Sequence, residues 1–120
     1  MKIVGYYSIF IGIAVITVWS LILLTQNPTE GKTELTFHLL SEFIMAVLCI
    51  FSGILLLGNK PIGKFLNILA LGMVIYSVLN AAGYYGENNE FQMMIIFIVL
   101  LLLTSVAVVI NFKNIIAAKT

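Results

Sequence analysis

The chain contains no arginine and no aspartate, and its charged residues are few: six lysines and five glutamates in 120 residues. A soluble domain is typically about 25% charged, whereas this chain is 9% charged and 62% hydrophobic. With a net charge of +1 it has no basic patch to follow a phosphate backbone, so nucleic acid is not an expected partner. A composition this apolar indicates that the lipid bilayer is its solvent.

Residues that usually carry redox or metal chemistry are equally scarce. Cys49 is the single cysteine, which excludes an intramolecular disulfide and a Cys-x-x-Cys redox pair. His38 is the single histidine, so one chain offers at most one axial ligand to a haem. No Ser-His-Asp set can form without aspartate, and no phosphate-binding glycine loop is present. An enzyme is therefore not favoured, and a membrane oxidoreductase that borrows haem or quinone is the weakest of the three hypotheses considered below.

Long apolar runs are what the sequence has in abundance. About 20 helical residues cross a hydrocarbon core of about 30 Å, and these runs lack the apolar/polar alternation of barrel strands. The first run is too long for a signal peptide, and we expect it to be retained. The sequence predicts an all-α fold, an antiparallel bundle of four transmembrane helices forming one membrane domain over residues 1–120. The predicted spans are residues 4–24, 35–57, 62–82 and 91–112.

Two short connections carry turn signals. In the first, Gly58 suits the position that closes helix two, and Pro61 suits the first turn of helix three. In the second, Gly86 predicts the end of helix three and Asn89 the N-cap of helix four. Such short links make consecutive helices antiparallel neighbours.

The lysine distribution predicts the orientation of the bundle. Lys32 falls on one side of the predicted membrane, and the other five lysines fall on the opposite side. The positive-inside rule places that lysine-rich side in the cytoplasm. We therefore expect a multi-pass protein of the cell membrane with both termini cytoplasmic. Four glutamates make the outer side acidic, namely Glu30, Glu34, Glu87 and Glu90.

A histidine and a glutamate interrupt the second apolar run. His38 and Glu42 lie one helical turn apart, and Glu42 is about 10 Å below the start of the run. Ionisable groups inside spans almost always face the bundle interior, because exposure to lipid costs about 3 kcal/mol or more. We expect the pair to meet Asn80 of the third span at a similar level, with Tyr84 or Tyr76 near. These residues form the predicted ligand or proton site.

Two chemistries fit this pair. It could bind a metal ion, with His38 and Glu42 as two ligands; Glu34, Glu87 or Glu90, or a second protomer, would complete the site. It could instead exchange protons. The alternative hypothesis is an accessory or scaffold subunit in which the same residues only hold helices together. Small-residue pairs on several helices are expected to let helices approach closely, namely Ser8–Gly12, Cys49–Gly53 and Ser77–Ala81. Because one bundle cannot use all of these faces, we also expect a homo-oligomer, most simply a dimer.

Polar side chains are expected to concentrate in the outer half. The cytoplasmic half offers far fewer, with Asn67 near the start of helix three and Thr104 and Ser105 in helix four. Asn67 alone predicts no more than an interhelical hydrogen bond. Because no continuous polar path is expected, the sequence favours a binding site for a cation, metal ion or proton, or an accessory protein, over a conduit.

Two stretches carry a resemblance to other membrane proteins. FHLLSEF (37–43) and LGMVIYSVLNAAGYYGENNE (71–90) together resemble small, mostly uncharacterised four-span proteins of bacteria and archaea. Those proteins combine a His-Leu-x-x-Glu stretch in the second span with a Gly-Tyr-Tyr end to the third. The resemblance covers about residues 35–100 and departs at Ala82, where many such sequences have proline. It implies the four-span fold and carries no activity.

Overall fold

The structure, a computed structural model, describes residues 2–25 and 32–119. This part of the chain forms four α-helices, which are α1 (Lys2–Thr25), α2 (Lys32–Leu57), α3 (Pro61–Glu87) and α4 (Phe91–Lys119). Each helix is long and apolar enough to cross a membrane. The predicted all-α fold with four long apolar helices is therefore confirmed, and length and hydropathy together indicate a multi-pass membrane protein.

The third and fourth helices are longer than the apolar runs that predicted them. The third run ends at residue 82 and the fourth at residue 112, whereas the helices continue to Glu87 and Lys119. With 27 residues, α3 is about 40 Å long, which exceeds the hydrocarbon core by about 10 Å. The extra turns carry charged side chains, because helical backbone outside the hydrocarbon needs no apolar cover.

Asparagines close the two turns that the structure describes. Pro61 lies in the first turn of α3, as predicted. The left-handed position after α2 belongs to Asn59, with φ 57°, and not to the preceding Gly58. Asn89 also has a left-handed φ of 61°, whereas an N-cap is typically extended. It therefore closes α3 and does not cap α4 as predicted. Asparagine is the residue that replaces glycine most readily in this conformation.

The helices pack in chain order, α1 on α2, α2 on α3 and α3 on α4, while α1 and α4 meet over a much smaller region. The molecule measures 50 × 25 × 19 Å. Helices of 24 to 29 residues are about 36–44 Å long, so each must follow the long axis, and the chain runs up and down. One end therefore holds the start of α1, the α2–α3 turn and the end of α4, and we call it the lysine-rich end. The other, with Glu87 and Glu90, is the acidic end.

Glycines bring α1 and α2 into backbone contact. A Cβ atom added to Gly53 would lie 2.7 Å from the carbonyl oxygen of Gly5, and one added to Gly5 would lie 3.0 Å from that of Gly53. A Cβ atom on Gly12 would lie 2.7 Å from the carbonyl oxygen of Ala46. The predicted use of small residues for close helix approach is confirmed at these positions. This contact fixes α1 against α2 and positions the polar residues described next.

Candidate functional site

Glu42 lies in the interior between α2 and α3, where the cost of lipid exposure predicted it. Its side chain is 12% exposed. The Ser77 hydroxyl of α3 donates a hydrogen bond to Glu42 Oε1 at 2.8 Å. His38 Nε2 lies 3.7 Å from the same oxygen, and the His38 side chain is 42% exposed. The four-residue spacing puts both side chains on one face of α2. Glu42 is largely buried there, whereas His38, one turn nearer the acidic end, lies at the bundle surface, so the expectation that both residues face the interior is correct only for Glu42.

Trp19 of α1 completes the surroundings of His38. The two rings meet edge to face, with centroids 4.9 Å apart. The sequence alone places Trp19 near the level of His38 and Glu42, but an aromatic residue at that level more often belongs to the belt at the membrane interface, so Trp19 was not predicted as part of the site.

The partners predicted for Glu42 on α3 lie elsewhere. Asn80 is exposed, and Tyr76 and Tyr84 are 72% and 63% exposed. The donor to Glu42 is Ser77, which the sequence had suggested only as a small packing residue. The reason is the rotation of α3, whose buried face includes Val74 and Val78. Asn80 lies two residues past Val78, which turns it about 200° away from that face.

The donor set around Glu42 is small. Within residues 2–25 and 32–119, no three His, Cys, Asp or Glu side chains come together. The Glu34 side chain, the predicted third metal ligand, lies outside the described part of the structure. His38, Glu42 and Ser77 supply one nitrogen and the oxygens of a carboxylate and a hydroxyl, whereas zinc sites usually have four ligands. A proton needs no further ligand, but a metal ion would.

A second polar cluster lies closer to the lysine-rich end, and every member is fully buried. We call it the amide cluster, which comprises Ser8 of α1, Ser52 of α2, Asn67 of α3 and Asn111 of α4. Asn67 Nδ2 donates to Ser8 Oγ at 2.9 Å and to Ser52 Oγ at 3.2 Å. Asn111 Nδ2 donates to Asn67 Oδ1 at 3.1 Å. One polar side chain from each helix thus meets at Asn67.

Backbone carbonyls extend the amide cluster. The Ser8 hydroxyl donates to the carbonyl oxygen of Cys49 at 2.6 Å, and Asn111 Nδ2 also donates to that of Lys64 at 3.1 Å. Asn67 therefore uses both ends of its amide, and the serines are satisfied in turn. The cluster holds all four helices together by hydrogen bonds.

A separate hydrogen bond joins α1 directly to α4. The Tyr7 and Thr104 hydroxyl oxygens are 2.6 Å apart. Since α1 and α4 share little other contact, this bond and the amide cluster are the main described polar links between the first and last helices. Tyr7 lies near the lysine-rich end of α1, and Thr104 lies near the middle of α4.

The expectation that the lysine-rich half offers far fewer polar residues is therefore wrong, whereas the interhelical hydrogen bond predicted for Asn67 is confirmed. Ser8, Ser52, Asn67 and Asn111 each lie about 10 Å from the lysine-rich end of their helix. Their similar depth was the signal available in the sequence, but each serine taken alone resembles an ordinary packing position. Ser105, which the sequence also suggested, donates instead to Leu101 of its own helix at 2.8 Å.

Apolar residues separate the two polar clusters along α2. From Glu42 to Ser52 the helix advances about 15 Å. The buried side chains between them are Met45, Ala46 and Cys49, which are 3%, 0% and 0% exposed. The buried residues of α2 between the two clusters are therefore apolar.

The chain belongs to the family described as Domain of unknown function (DUF8058), whose model matches residues 1–120. No curated protein and no solved structure matches the chain. The expected kinship with uncharacterised proteins is therefore confirmed, and any activity has to be inferred from the residues themselves.

Proposed function

We propose that this DUF8058 protein is an integral membrane protein that binds a cationic ligand, a proton or a metal ion, at Glu42 and His38. The observation that carries the proposal is a carboxylate only 12% exposed inside a helix suited to cross a membrane. Ionisable groups at such positions are costly and by default indicate function. A buried carboxylate is also a costly device if it serves only to hold helices together.

The contacts around Glu42 support a role in binding. Ser77 and His38 both approach Oε1, which orients the carboxylate and leaves Oε2 outside these two contacts. The half-exposed imidazole of His38 connects the bundle surface to the Glu42 carboxylate. A metal ion would use His38 and Oε2 together with water or a second molecule.

The acidic end favours cations. Glu87 and Glu90 are exposed at this end of the bundle, and His38 lies about 9 Å from the start of α2 at the same end. Like charges gathered at the mouth of a site raise the local concentration of counter-ions. The negative potential of the acidic end therefore attracts a cation before it reaches His38.

Glutamine at position 42 is expected to remove binding and preserve the fold. The Gln Oε1 can still accept the Ser77 hydrogen bond, but the side chain neither ionises nor takes up a proton. We expect Glu42→Gln to weaken metal binding more than about tenfold, or to abolish the infrared band of carboxyl protonation. The measurements are metal analysis and pH-difference infrared spectroscopy in nanodiscs.

The matched control for this test is Glu87→Gln, which removes an exposed carboxylate from the same half of the bundle. It should retain the protonation band and lower metal binding far less than Glu42→Gln, because an exposed charge acts on the cation only through a screened field. His38→Ala should weaken binding. If Glu42→Gln retains both the metal content and the protonation band of wild type, the proposal is wrong.

The amide cluster favours a second candidate function, an accessory or scaffold subunit. A buried network that ties four helices together gives a rigid body suited to hold a partner, and it needs no ligand. In that case Glu42→Gln would change thermal stability alone. The same measurements therefore distinguish the two candidates.

The orientation is a further part of the proposal. We infer that the lysine-rich end faces the cytoplasm, since Lys2, Lys60, Lys64 and Lys113 all belong to it. In a Cys49→Ala background, a cysteine at Asn59 should react with an impermeant maleimide only from the cytoplasmic side. A cysteine at Asn88 should react only from outside. Both positions are exposed turn residues, and the reverse labelling pattern would refute this orientation.

A further inference from the structure

Two glycines of α3 have no packing role within the monomer. No heavy atom lies within 4 Å of where a Cβ of Gly72 or Gly83 would be, in contrast to Gly53 and Gly12 at the α1–α2 contact. Glycine inside a helix costs about 1 kcal/mol relative to alanine. At Gly53 close helix packing offsets this cost, whereas at Gly72 and Gly83 nothing in the monomer does.

Polar residues share the face that carries these glycines. Tyr76 is 72% exposed, and Asn80 is exposed as well. Spacings of three and four residues place them on one side of α3. We call this surface the outward stripe of α3, which comprises Leu69, Gly72, Tyr76, Leu79, Asn80 and Gly83.

The polar groups of the outward stripe lie at membrane depth. Asn80 is about 10 Å, and Tyr76 about 16 Å, from the acidic end of α3, and both lie within the span-length segment Pro61–Glu87. An amide or phenol facing hydrocarbon without a hydrogen-bond partner costs several kcal/mol. The stripe thus combines polar groups that need a hydrogen-bond partner with glycines that allow a neighbouring helix to approach closely.

We propose that the outward stripe of α3 is the interface of a parallel homodimer, in which α3 packs against α3 of a second copy and the two Asn80 side chains pair. Copies inserted in the same orientation are related by a two-fold axis along the membrane normal. Such an axis brings Asn80 opposite Asn80 of the partner subunit at equal depth. A carboxamide has both donors and acceptors, so it is complementary to itself.

The tyrosine and the glycines fit this arrangement. A helical side chain leans toward the N-terminus of its helix, so the Tyr76 ring lies over the turn that contains Gly72. In the dimer the ring covers the matching turn of the partner subunit, where glycine leaves room for it. Small residues on both sides of Asn80 permit the close helix approach typical of membrane interfaces.

The exposed face of α4 shows what a lipid-facing surface of this protein looks like. It is purely aliphatic at the same depths and beyond, with Ile95, Val99, Leu102, Leu103 and Val106 all about half exposed or more. Lipid tails satisfy such a surface completely. The outward stripe differs in carrying an amide and a phenol, which lipid tails do not satisfy, and this selects α3 as the dimer face.

Disulfide cross-linking tests the interface in the membrane. In a Cys49→Ala background, Leu79→Cys and Asn80→Cys should form disulfide-linked dimers on mild oxidation, since a disulfide needs Cα atoms closer than about 7 Å. Val99→Cys is the matched control, because Val99 is 48% exposed on α4 at a similar distance from the acidic end. It should form no disulfide-linked dimer.

A mass measurement with intact Asn80 completes the test. Wild type in nanodiscs or mild detergent should have the mass of a dimer, and Gly72→Ile with Gly83→Ile should halve it while the helical circular dichroism persists. A monomeric wild type, cross-linking at Val99→Cys equal to that at Leu79→Cys, or a dimer unaffected by the two isoleucines would overturn the proposal. None of these outcomes depends on ligand binding at Glu42.

Discussion

Asn67→Ala is expected to destabilise the protein by about 2–3 kcal/mol. The side chain makes three hydrogen bonds, to Ser8, Ser52 and Asn111. Hydrogen bonds between membrane helices average about 0.6 kcal/mol, so the bonds alone account for about 2 kcal/mol. The remainder comes from the buried partners left unpaired and from the space the amide vacates.

The free energy of unfolding in mixed detergent micelles measures this effect. Asn114→Ala is the matched control, because Asn114 is an exposed asparagine on the lysine-rich half of α4 and should change stability by less than about 0.5 kcal/mol. Equal effects of the two substitutions would show that the amide cluster does not hold the helices together.

The second large effect is expected at Gly53. Gly53→Ala places a methyl group 2.7 Å from the carbonyl oxygen of Gly5 and 2.7 Å from Cγ1 of Ile9. The oxygen belongs to the backbone of α1, so it can move away only if the whole helix moves. We expect a loss of about 2–3 kcal/mol, at the upper end of the cost of overpacking.

The same substitution at Gly72 should have the opposite sign in detergent that keeps the protein monomeric. Gly72→Ala meets no heavy atom within 4 Å, and alanine favours the helix by up to about 1 kcal/mol. The thermal unfolding temperatures of Gly53→Ala and Gly72→Ala, measured under the same conditions, test these opposite effects on stability. If Gly53→Ala is as stable as Gly72→Ala, the backbone contact between α1 and α2 is not as close as the structure describes.

The sequence predicts the helices well because hydrocarbon imposes a simple rule on length and composition. Each of the four predicted spans lies within one observed helix. The rule fails beyond the hydrocarbon, where α3 continues to Glu87 and α4 to Lys119. There the helix is limited by turn chemistry, and Asn89 with its left-handed backbone closes α3.

The surroundings of Glu42 were predicted only in part, because the desolvation cost of its carboxylate and the rotation of α3 depend on different features of the sequence. Desolvation cost predicts that Glu42 is buried, whatever its neighbours. The rotation of α3 depends on the packing of many apolar residues, and it selects Ser77 over Asn80. Sequence reasoning preferred the Asn80 amide as the stronger hydrogen-bonding group, whereas in the structure the weaker one, the Ser77 hydroxyl, donates to the carboxylate.

Helix packing in chain order also bears on how the protein is made. The α1–α2 contact and the α3–α4 contact each join consecutive helices, so two helical hairpins can enter the membrane one after the other during synthesis. Ser8 and Ser52 are in place before Asn67 emerges, but the acceptor end of Asn67 waits for Asn111 near the end of the last helix. The buried network closes when α4 inserts, and a nascent chain interrupted before that point would expose an unpaired amide to membrane quality control.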